Sequence, residues 1–266
     1  LKVAGEAVKP GVTTWEIDHI AYEYIKKHGA EPNFLHLYGF PATACISIND
    51  EIIHGIPSKK RVIREGDIVS IDLGAKIHGY NGDNAATFAA GKVSDEAKRL
   101  CDTTKESLFL GIEKAVAGGR IGDIGYAVQH HCESRGYSVV REFVGHGVGH
   151  KLHEDPSVPN YGTPGRGVRL LPGMTIAIEP MINLGKADAV LTENEQVKGE
   201  TFQPTERVKV YILELKDTPK GPRILVSRTH PGLVKRLFES EVAEVRDGTV
   251  EIKSIAREAG SRTKLA

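Results

Sequence analysis

The sequence predicts an α+β fold in which two related helix-and-strand halves are followed by a smaller unit of different composition. Of its 266 residues, 40% are apolar and 26% are charged, which is typical of a globular protein and excludes a disordered chain. Several segments recur at one constant offset in the numbering, and such recurrence indicates a duplicated unit. Ten of the eleven histidines lie before residue 154, whereas residues 190–266 carry a net charge of +2. We therefore place the seam between the two parts near Asp188.

Composition also indicates the cellular environment in which the protein folds. No apolar run approaches the ~18 residues of a membrane span, and the formal net charge is zero, so nothing attracts the whole chain to membranes or nucleic acids. Three cysteines, Cys45, Cys101 and Cys132, are too few for a disulfide framework, which predicts a reducing cytoplasm. Leu1 falls inside an amphipathic pattern, so we expect that an N-terminal segment has been lost.

Two helices carry the repeat. The first is predicted to begin at Thr13, with Glu16 in its first turn, and to end at Gly29. The second is predicted to open at Asp123 and to end at Gly136, so the two terminal glycines are related by an offset of 107. A further helix is predicted from a cap at Ser94 to residues 118–119.

Two predicted strands carry the same repeat. Residues 64–72 match residues 171–179 at the offset of 107, so Asp72 and Glu179 occupy equivalent ends of equivalent strands. A carboxylate that closes an apolar strand is costly to bury unless something neutralises it. Capping of a turn is the alternative role for each acid.

A hairpin is predicted to bring a second acid to Asp72. Glycine and asparagine between residues 74 and 84 suit a reversal of the chain. If the turn is centred on Ile77 and His78, Asp72 faces Asp83 with Cβ atoms ~5 Å apart. Two carboxylates this close repel unless a proton or a cation lies between them, although a hydrogen-bonded turn would relieve one of them.

A glycine-rich segment adds imidazoles to these acids. Residues 145–156 include His146, His150 and His153 beside three glycines. Single histidines are more often core or surface residues than ligands, and this spacing alone would also suit zinc. A donor set dominated by carboxylates with one imidazole favours Mn, Fe or Co, with Zn also allowed.

Residues 1 to about 188 carry six motifs that together resemble one family. They are residues 45–49 (CISIN), 54–57 (HGIP), 66–72 (GDIVSID), 82–83 (GD), 145–149 (GHGVG) and 178–181 (IEPM). This part resembles a type I methionine aminopeptidase, which implies the pita-bread (creatinase/aminopeptidase) fold, a duplicated sheet-and-helix fold. The resemblance begins after the first helix of the family and stops short of its last strands.

The resemblance implies a site built from several groups of residues. Two divalent metal ions (Co, Mn, Fe or Zn) would be bound by Asp72, Asp83, His146 and Glu179. The catalytic residues would be His54, His153 and Glu179. The substrate methionine would contact His54, His153, Cys45 and Phe40, with Leu37 and Leu152 where the family often has aromatic residues.

The implied chemistry is release of the N-terminal methionine from nascent polypeptides. The metal ions would activate a water and polarise the scissile carbonyl. His153 would stabilise the developing oxyanion, and Glu179 would carry the proton to the leaving amine.

The C-terminal part carries a different resemblance. In the aminopeptidase family a Phe-Glu-His-Thr strand supplies a fifth ligand, and this chain has no such motif. Residues 191–196 (LTENEQ), 207–213 (RVKVYIL), 221–238 (GPRILVSRTHPGLVKRLF) and 248–260 (GTVEIKSIAREAG) instead resemble the bacterial transcription termination/antitermination factor NusA. The resemblance implies a partial OB-type RNA-binding barrel over 189–229 and the start of a KH domain over 230–266.

The residue pattern is consistent with an incomplete module. Alternation predicts strands from Val208 and over 249–256, and amphipathic spacing predicts a short basic helix over 231–239. The chain stops before any Gly-x-x-Gly clamp for a nucleotide backbone. We therefore expect at most weak contact with RNA or RNA polymerase, with most of the basic side chains solvated.

One glutamate could replace the missing fifth ligand. Glu206 lies at the predicted start of a strand, as the absent Phe-Glu-His-Thr segment would, and Glu200 and Glu214 are weaker candidates. Without a fifth ligand we expect lower metal affinity and impaired activity.

Three functions remain open from the sequence. The first is a dinuclear metallo-aminopeptidase. The second is an RNA- or RNA-polymerase-binding fragment carried by the C-terminal part. The third keeps the pita-bread fold for a proline dipeptidase or a catalytically silent peptide binder.

Overall fold

The chain divides into two compact units, Leu1–Leu184 and Gly185–Ala266. The structure is a computed structural model that describes residues 1–184, 188–202, 208–218 and 221–265. The division falls four residues before the predicted seam at Asp188. Within these ranges, no helix is both long enough and apolar enough to cross a membrane.

Unit 1 alternates helices with short strands. Its helices are α1 (Lys2–Glu6), α2 (Thr14–Lys27), α3 (Asp95–Lys114) and α4 (Ile121–Glu133), with one 3-10 turn at Leu37–Gly39. Its strands are β1 (Glu31–Pro32), β2 (Ala44–Ile48), β3 (Ile68–Ile77), β4 (Tyr80–Ala89), β5 (Ser138–Val139), β6 (Gly145–Gly147), β7 (Glu154–Val158) and β8 (Ile182–Asn183). Strand β3 is central, since it pairs antiparallel with β1, β2 and β4.

The duplication predicted from the sequence is confirmed by the hydrogen-bonded frame. Helices α2 and α4 begin at Thr14 and Ile121, which keep the offset of 107. The antiparallel bridge between Thr13 and Val62 recurs at the same offset between Arg120 and Arg169. The pairing of β1 with β3 likewise recurs as the pairing of β5 with β8. The two halves of unit 1 are therefore copies of one structural plan.

The helix starts show how local sequence sets this plan. Helix α2 has the predicted capping box, in which Thr13 and Glu16 bond each other's backbone N–H groups. Helix α3 begins after the predicted cap, Ser94. The prediction that α4 opens at Asp123 is wrong by two residues: Asp123 lies inside the first turn, where its carboxylate accepts from the backbone N–H of Arg120.

The predicted pairing of Asp72 with Asp83 is also wrong by two residues. His78 and Gly79 both have positive φ, 52° and 82°, so they form the turn and Ile77 pairs with Tyr80. Asp72 then pairs with Ala85, and Asp83 pairs with Gly74. Because side chains alternate with a period of two, a two-residue shift leaves both acids on the same face of the hairpin.

The second half lacks a regular counterpart of β3. The predicted strand at 171–179 is present only as an isolated bridge between Gly147 and Ile176, flanked by backbone bonds of His146 with Ala177. At the offset of 107, the counterpart of β4 would be residues 187–196, which belong to unit 2. Within the described part of unit 1, the segment 171–179 therefore pairs only with the β6 region, on one of its edges, and remains irregular.

The described residues of unit 2 form two small sheets and two helices. A three-stranded sheet is formed by β9 (Asp188–Leu191), β10 (Tyr211–Thr218) and β11 (Gly221–Ser227), with β9 parallel to β11. Then follow α5 (Pro231–Glu241), α6 (Ala243–Arg246) and the hairpin of β12 (Ile255–Glu258) with β13 (Arg262–Leu265). A 3-10 turn at Glu193–Glu195 follows β9.

Two strand predictions in unit 2 need correction, and one helix is confirmed. The helix predicted over 231–239 is α5. The strand predicted from Val208 starts at Tyr211. Of the strand predicted over 249–256, only the last two residues belong to β12, where they pair with β13. Earlier in this segment, the N–H of Val250 bonds the carbonyl of Glu244 in α6. The OB-type barrel and the KH domain boundaries stay predictions.

Candidate metal centre

Three acids and one histidine meet in the cleft between the two halves. Asp72 on β3 and Asp83 on β4 come from the first half, whereas His146 on β6 and Glu179 come from the second. His146 Nε2 lies 3.4 Å from Asp83 Oδ2 and 3.3 Å from Glu179 Oε1. Asp72 interacts electrostatically with Asp83, Glu179 and His146. The structure therefore brings together all four residues that the resemblance implied as ligands.

Two carboxylate oxygens of this cluster have no hydrogen-bond partner. Asp72 Oδ1 and Glu179 Oε1 are buried, and neither makes a hydrogen bond; the 3.3 Å contact of Glu179 Oε1 with His146 is an ion-pair distance without hydrogen-bond geometry. The Asp83 side chain is only 7% exposed. Buried acceptors without partners are costly, so this arrangement requires either protons or a cation.

The pKa values express the same excess of negative charge. Burial and the neighbouring charges of Asp83 and Glu179 raise the pKa of Asp72 well above its usual range. Burial and the charge of Asp83 raise the pKa of Glu179 to about 7. The side-chain hydrogen bond to Asp83 raises the pKa of His146 to about 8. Each shift favours retention of a proton where the structure has no other cation.

The donor set fits a divalent cation. Three carboxylates and one imidazole are ligands of the harder transition ions, and the two unpartnered oxygens are available to bind. In this conformation the side chains contact one another directly, and within the described residues no three His, Cys, Asp or Glu are already placed to hold an ion. Binding would therefore replace the contact of His146 with Asp83 by contacts to the ion.

Two further histidines border the cluster. The ring of His153 lies 4.4 Å from the ring of His146, edge to face. His54 is exposed and its ring lies 5.8 Å from that of Phe143. The loop of His54 is fixed at Gly55, where a Cβ atom would lie 2.2 Å from the carbonyl oxygen of Ile46. Only glycine allows this close approach, which explains the His-Gly pair.

An apolar cluster adjoins the acids. Phe34, Cys45 and Leu152 are buried together, and Leu37 and Phe40 pack against them. Cys45 lies directly opposite Asp72 in the pairing of β2 with β3. Burial, with Asp72 next in effect, raises the pKa of the Cys45 thiol to about 12, so it stays a neutral thiol. The four predicted pocket residues are thus neighbours, and Phe34 was missed although it lies three residues before Leu37.

A buried asparagine supports the second half of the site and was also missed. Asn160 is 1% exposed, and its Nδ2 donates to the carbonyl oxygen of Glu179 at 2.6 Å. Its Oδ1 is buried without a hydrogen bond. A single asparagine in a Pro-Asn pair gave no signal in the sequence, because its partner lies 19 residues away.

The three candidates for a fifth ligand all belong to unit 2. Glu206 lies outside the described residues. Glu200 is in unit 2, where its carboxylate pairs with Arg228 at 2.6 Å. Glu214 is exposed on β10.

The comparisons with known proteins agree with this geometry. Residues 1–200 match metallopeptidase family M24, and residues 228–266 match the NusA-like first KH domain. A methionine aminopeptidase of Clostridium acetobutylicum is 56% identical over 185 residues, which cover 70% of this chain and 74% of that protein.

Solved structures show the same relationship. A methionine aminopeptidase from Thermotoga maritima superposes with a TM-score of 0.69 at 43% identity, covering 73% of this chain and 78% of that one. A prolidase from Pyrococcus horikoshii gives 0.56 at 30% identity, covering 67% and 49%. The fold and the acid–imidazole cluster define the N-terminal part as a metallopeptidase. The chain belongs to metallopeptidase family M24.

Proposed function

We propose that this protein removes the N-terminal methionine from nascent polypeptides and works in the cytoplasm. One observation carries the proposal: the carboxylate cluster and the apolar cluster share the β2–β3 pair, where Cys45 lies opposite Asp72. A methionine side chain placed among the apolar residues would bring its own amino group and carbonyl next to the acids. Three free cysteines fit a reducing compartment.

Asp72, Asp83, His146 and Glu179 are the proposed metal ligands. Their chemistry favours Mn, Fe or Co, with Zn allowed, and two ions would share the three carboxylates. Bound ions of this kind lower the pKa of water and polarise a carbonyl. The unpartnered Asp72 Oδ1 and Glu179 Oε1 support this assignment.

The remaining roles belong to Glu179 and to side chains that border the cluster. Glu179, whose Oε1 lies 3.3 Å from His146 Nε2, would take up a proton and pass it to the leaving amine. His153, beside His146, would donate to the oxygen of the carbonyl as charge develops. His54 would contact the substrate, on a loop anchored by the bond from the N–H of Gly55 to Ser47 Oγ. Phe40, Cys45, Leu37 and Leu152 would line the methionine pocket.

We also infer that activity is impaired relative to a site with five protein ligands. The sequence has no Phe-Glu-His-Thr motif to supply the acid that should face Glu179, and Glu206 stays a prediction. When a ligand shared by two ions is absent, each ion has fewer protein donors. We therefore expect weaker binding of at least one of the two ions.

Metal titration combined with peptide hydrolysis tests the proposal. The purified chain is loaded with Mn²⁺, the bound metal is counted, and release of methionine from Met-Ala-Ser is measured. We expect at least one ion per chain and measurable turnover, both lost in Asp72→Asn. Asp102→Asn is the matched control, since Asp102 is an exposed acid paired with Lys98 on α3. No Mn²⁺ uptake in the unsubstituted chain would reject the peptidase assignment.

A second function is favoured by the match of residues 228–266 to the NusA-like first KH domain. We propose that this unit makes at most weak contact with RNA or RNA polymerase. Retention on single-stranded RNA that falls steeply with salt would support it. Metal uptake without release of methionine would instead favour the catalytically silent peptide binder.

A further inference from the structure

Asn81 joins the two halves of unit 1 beside the acid cluster. Its backbone N–H and its side-chain Nδ2 both donate to the carbonyl oxygen of Gly149, each at 2.8 Å. A carbonyl oxygen has two lone pairs and can accept both bonds. Asn81 precedes Asp83 by two residues on β4, and Gly149 follows His146 by three residues.

The loop after His146 is held from two sides. On the side of the second half, the N–H of Val148 bonds the carbonyl of Thr175. On the side of the first half, Asn81 donates its two bonds to Gly149. His150 Nδ1 also lies 3.4 Å from the carbonyl oxygen of Gly79, and the rings of Tyr80 and His150 lie 4.4 Å apart. The side chain of Asn81 therefore contributes a direct polar link between β4 and this loop.

The Asn81–Gly149 link lies close to the contact between Asp83 and His146, on which the proposed site depends. Asp83 is two residues along β4, about 7 Å at the usual strand rise, and its carboxylate lies 3.4 Å from His146 Nε2. A shift of the Gly149 carbonyl away from β4 would move the imidazole away from the acids of the first half. Ligand groups must be held to within about 0.5 Å to bind well.

We propose that Asn81 is a positioning residue, whose side-chain amide holds the Gly149 loop, and with it His146, in register with Asp72 and Asp83. The proposal rests on the proposed function, because it assigns those residues to one metal centre. Asn81 touches neither the metal nor the substrate in this role. It acts through the backbone of the loop.

Three variants separate this role from a general effect on folding. Asn81→Ala removes the side-chain donor and keeps the backbone bond. Asn81→Asp keeps the shape but turns a carboxylate oxygen toward a carbonyl oxygen. Asn84→Ala is the matched control, since Asn84 is an exposed asparagine on the same strand.

Two measurements apply to each variant. Hydrogen exchange of residues 145–149 in the chelated protein reports on the loop, and calorimetric titration with Mn²⁺ reports on the centre. We expect faster loop exchange and about 10-fold weaker Mn²⁺ binding in Asn81→Ala, a larger loss in Asn81→Asp, and no change in Asn84→Ala. With Met-Ala-Ser, kcat should fall while KM is retained, because the apolar pocket is untouched.

The outcomes distinguish this proposal from the proposed function. Exchange that stays unchanged in Asn81→Ala overturns the positioning role, whether or not the chain binds metal. Faster exchange with unchanged Mn²⁺ affinity also overturns it, since the link is then only structural. If the unsubstituted chain takes up no Mn²⁺, the proposed function fails, and the positioning of a metal ligand fails with it even where loop exchange responds.

Discussion

Replacement of Glu179 by glutamine should stabilise the metal-free protein, and only at higher pH. Burial and Asp83 raise the pKa of Glu179 from 4.5 to about 7 in the folded chain. Between pH 4.5 and pH 7, the folded state therefore keeps the proton of Glu179, whereas the unfolded state has already released it. At 1.36 kcal/mol per unit of pKa, this contribution amounts to about 3 kcal/mol. It is fully present below pH 4.5 and is lost as the pH rises through 7.

Glutamine in this position stays neutral at every pH and avoids that loss. We therefore expect Glu179→Gln and the unsubstituted protein to have similar stabilities at pH 5, and the variant to be more stable by about 3 kcal/mol at pH 8. The pKa of His146 is raised to about 8. As the pH rises through this value, both proteins therefore also lose the stabilisation that the protonated imidazole provides. The same substitution removes a proposed ligand, so Mn²⁺ should stabilise the variant far less.

Urea unfolding in the presence of a chelator measures this difference. The chain has one tryptophan, Trp15, and it lies on α2 of unit 1, so its fluorescence follows the unit that contains the site. Glu113→Gln on α3 is the control, since Glu113 is exposed. If Glu179→Gln and the unsubstituted protein lose stability in parallel between pH 5 and pH 8, the electrostatic argument for the cluster is wrong.

Three further predictions concern the same unit. Asp83→Asn removes the hydrogen bond that most raises the pKa of His146, so NMR should show this pKa moving back toward 6.5. The affinity for Mn²⁺ should fall by at least 10-fold. An unchanged pKa of His146 would contradict its contact with Asp83. Gly55→Ala places a Cβ 2.2 Å from the Ile46 carbonyl, and should cost about 2 kcal/mol or more in urea unfolding and lower kcat through His54; a neutral effect would show that the loop is loosely held. Leu152→Ala empties part of the apolar cluster and should cost about 2–5 kcal/mol and raise KM for Met-Ala-Ser, whereas an unchanged KM would place the methionine elsewhere.

Much of the candidate site follows from local sequence, because the chain repeats itself. The constant offset between the two halves identified the paired helices and placed Asp72 and Glu179 at equivalent positions. Capping at Thr13 and Ser94 was predictable because its hydrogen bonds join residues three apart. A divalent metal ion, as expected for metallopeptidase family M24, was predictable from the donor types, which need no coordinates.

Errors arose where the sequence offered several nearly equal choices. The turn of the β3–β4 hairpin was predicted at Ile77 and His78, whereas His78 and Gly79, which both have positive φ, form it. The second half carries the residues of a strand, yet lacks the neighbouring strand in the described part of unit 1, and it pairs only through an isolated bridge. Strand formation depends on partners as well as on composition.

The sequence by itself determined that two copies of one unit each contribute an acid at the same position, since a repeat and a residue type are properties of the chain alone. Only the tertiary structure decided that Asp83 and Glu179 meet His146 at 3.3–3.4 Å and that Asn81 links β4 to the loop of His146. These contacts join residues 33 to 68 positions apart. No local pattern encodes such a distance, because it depends on how the two halves pack against each other.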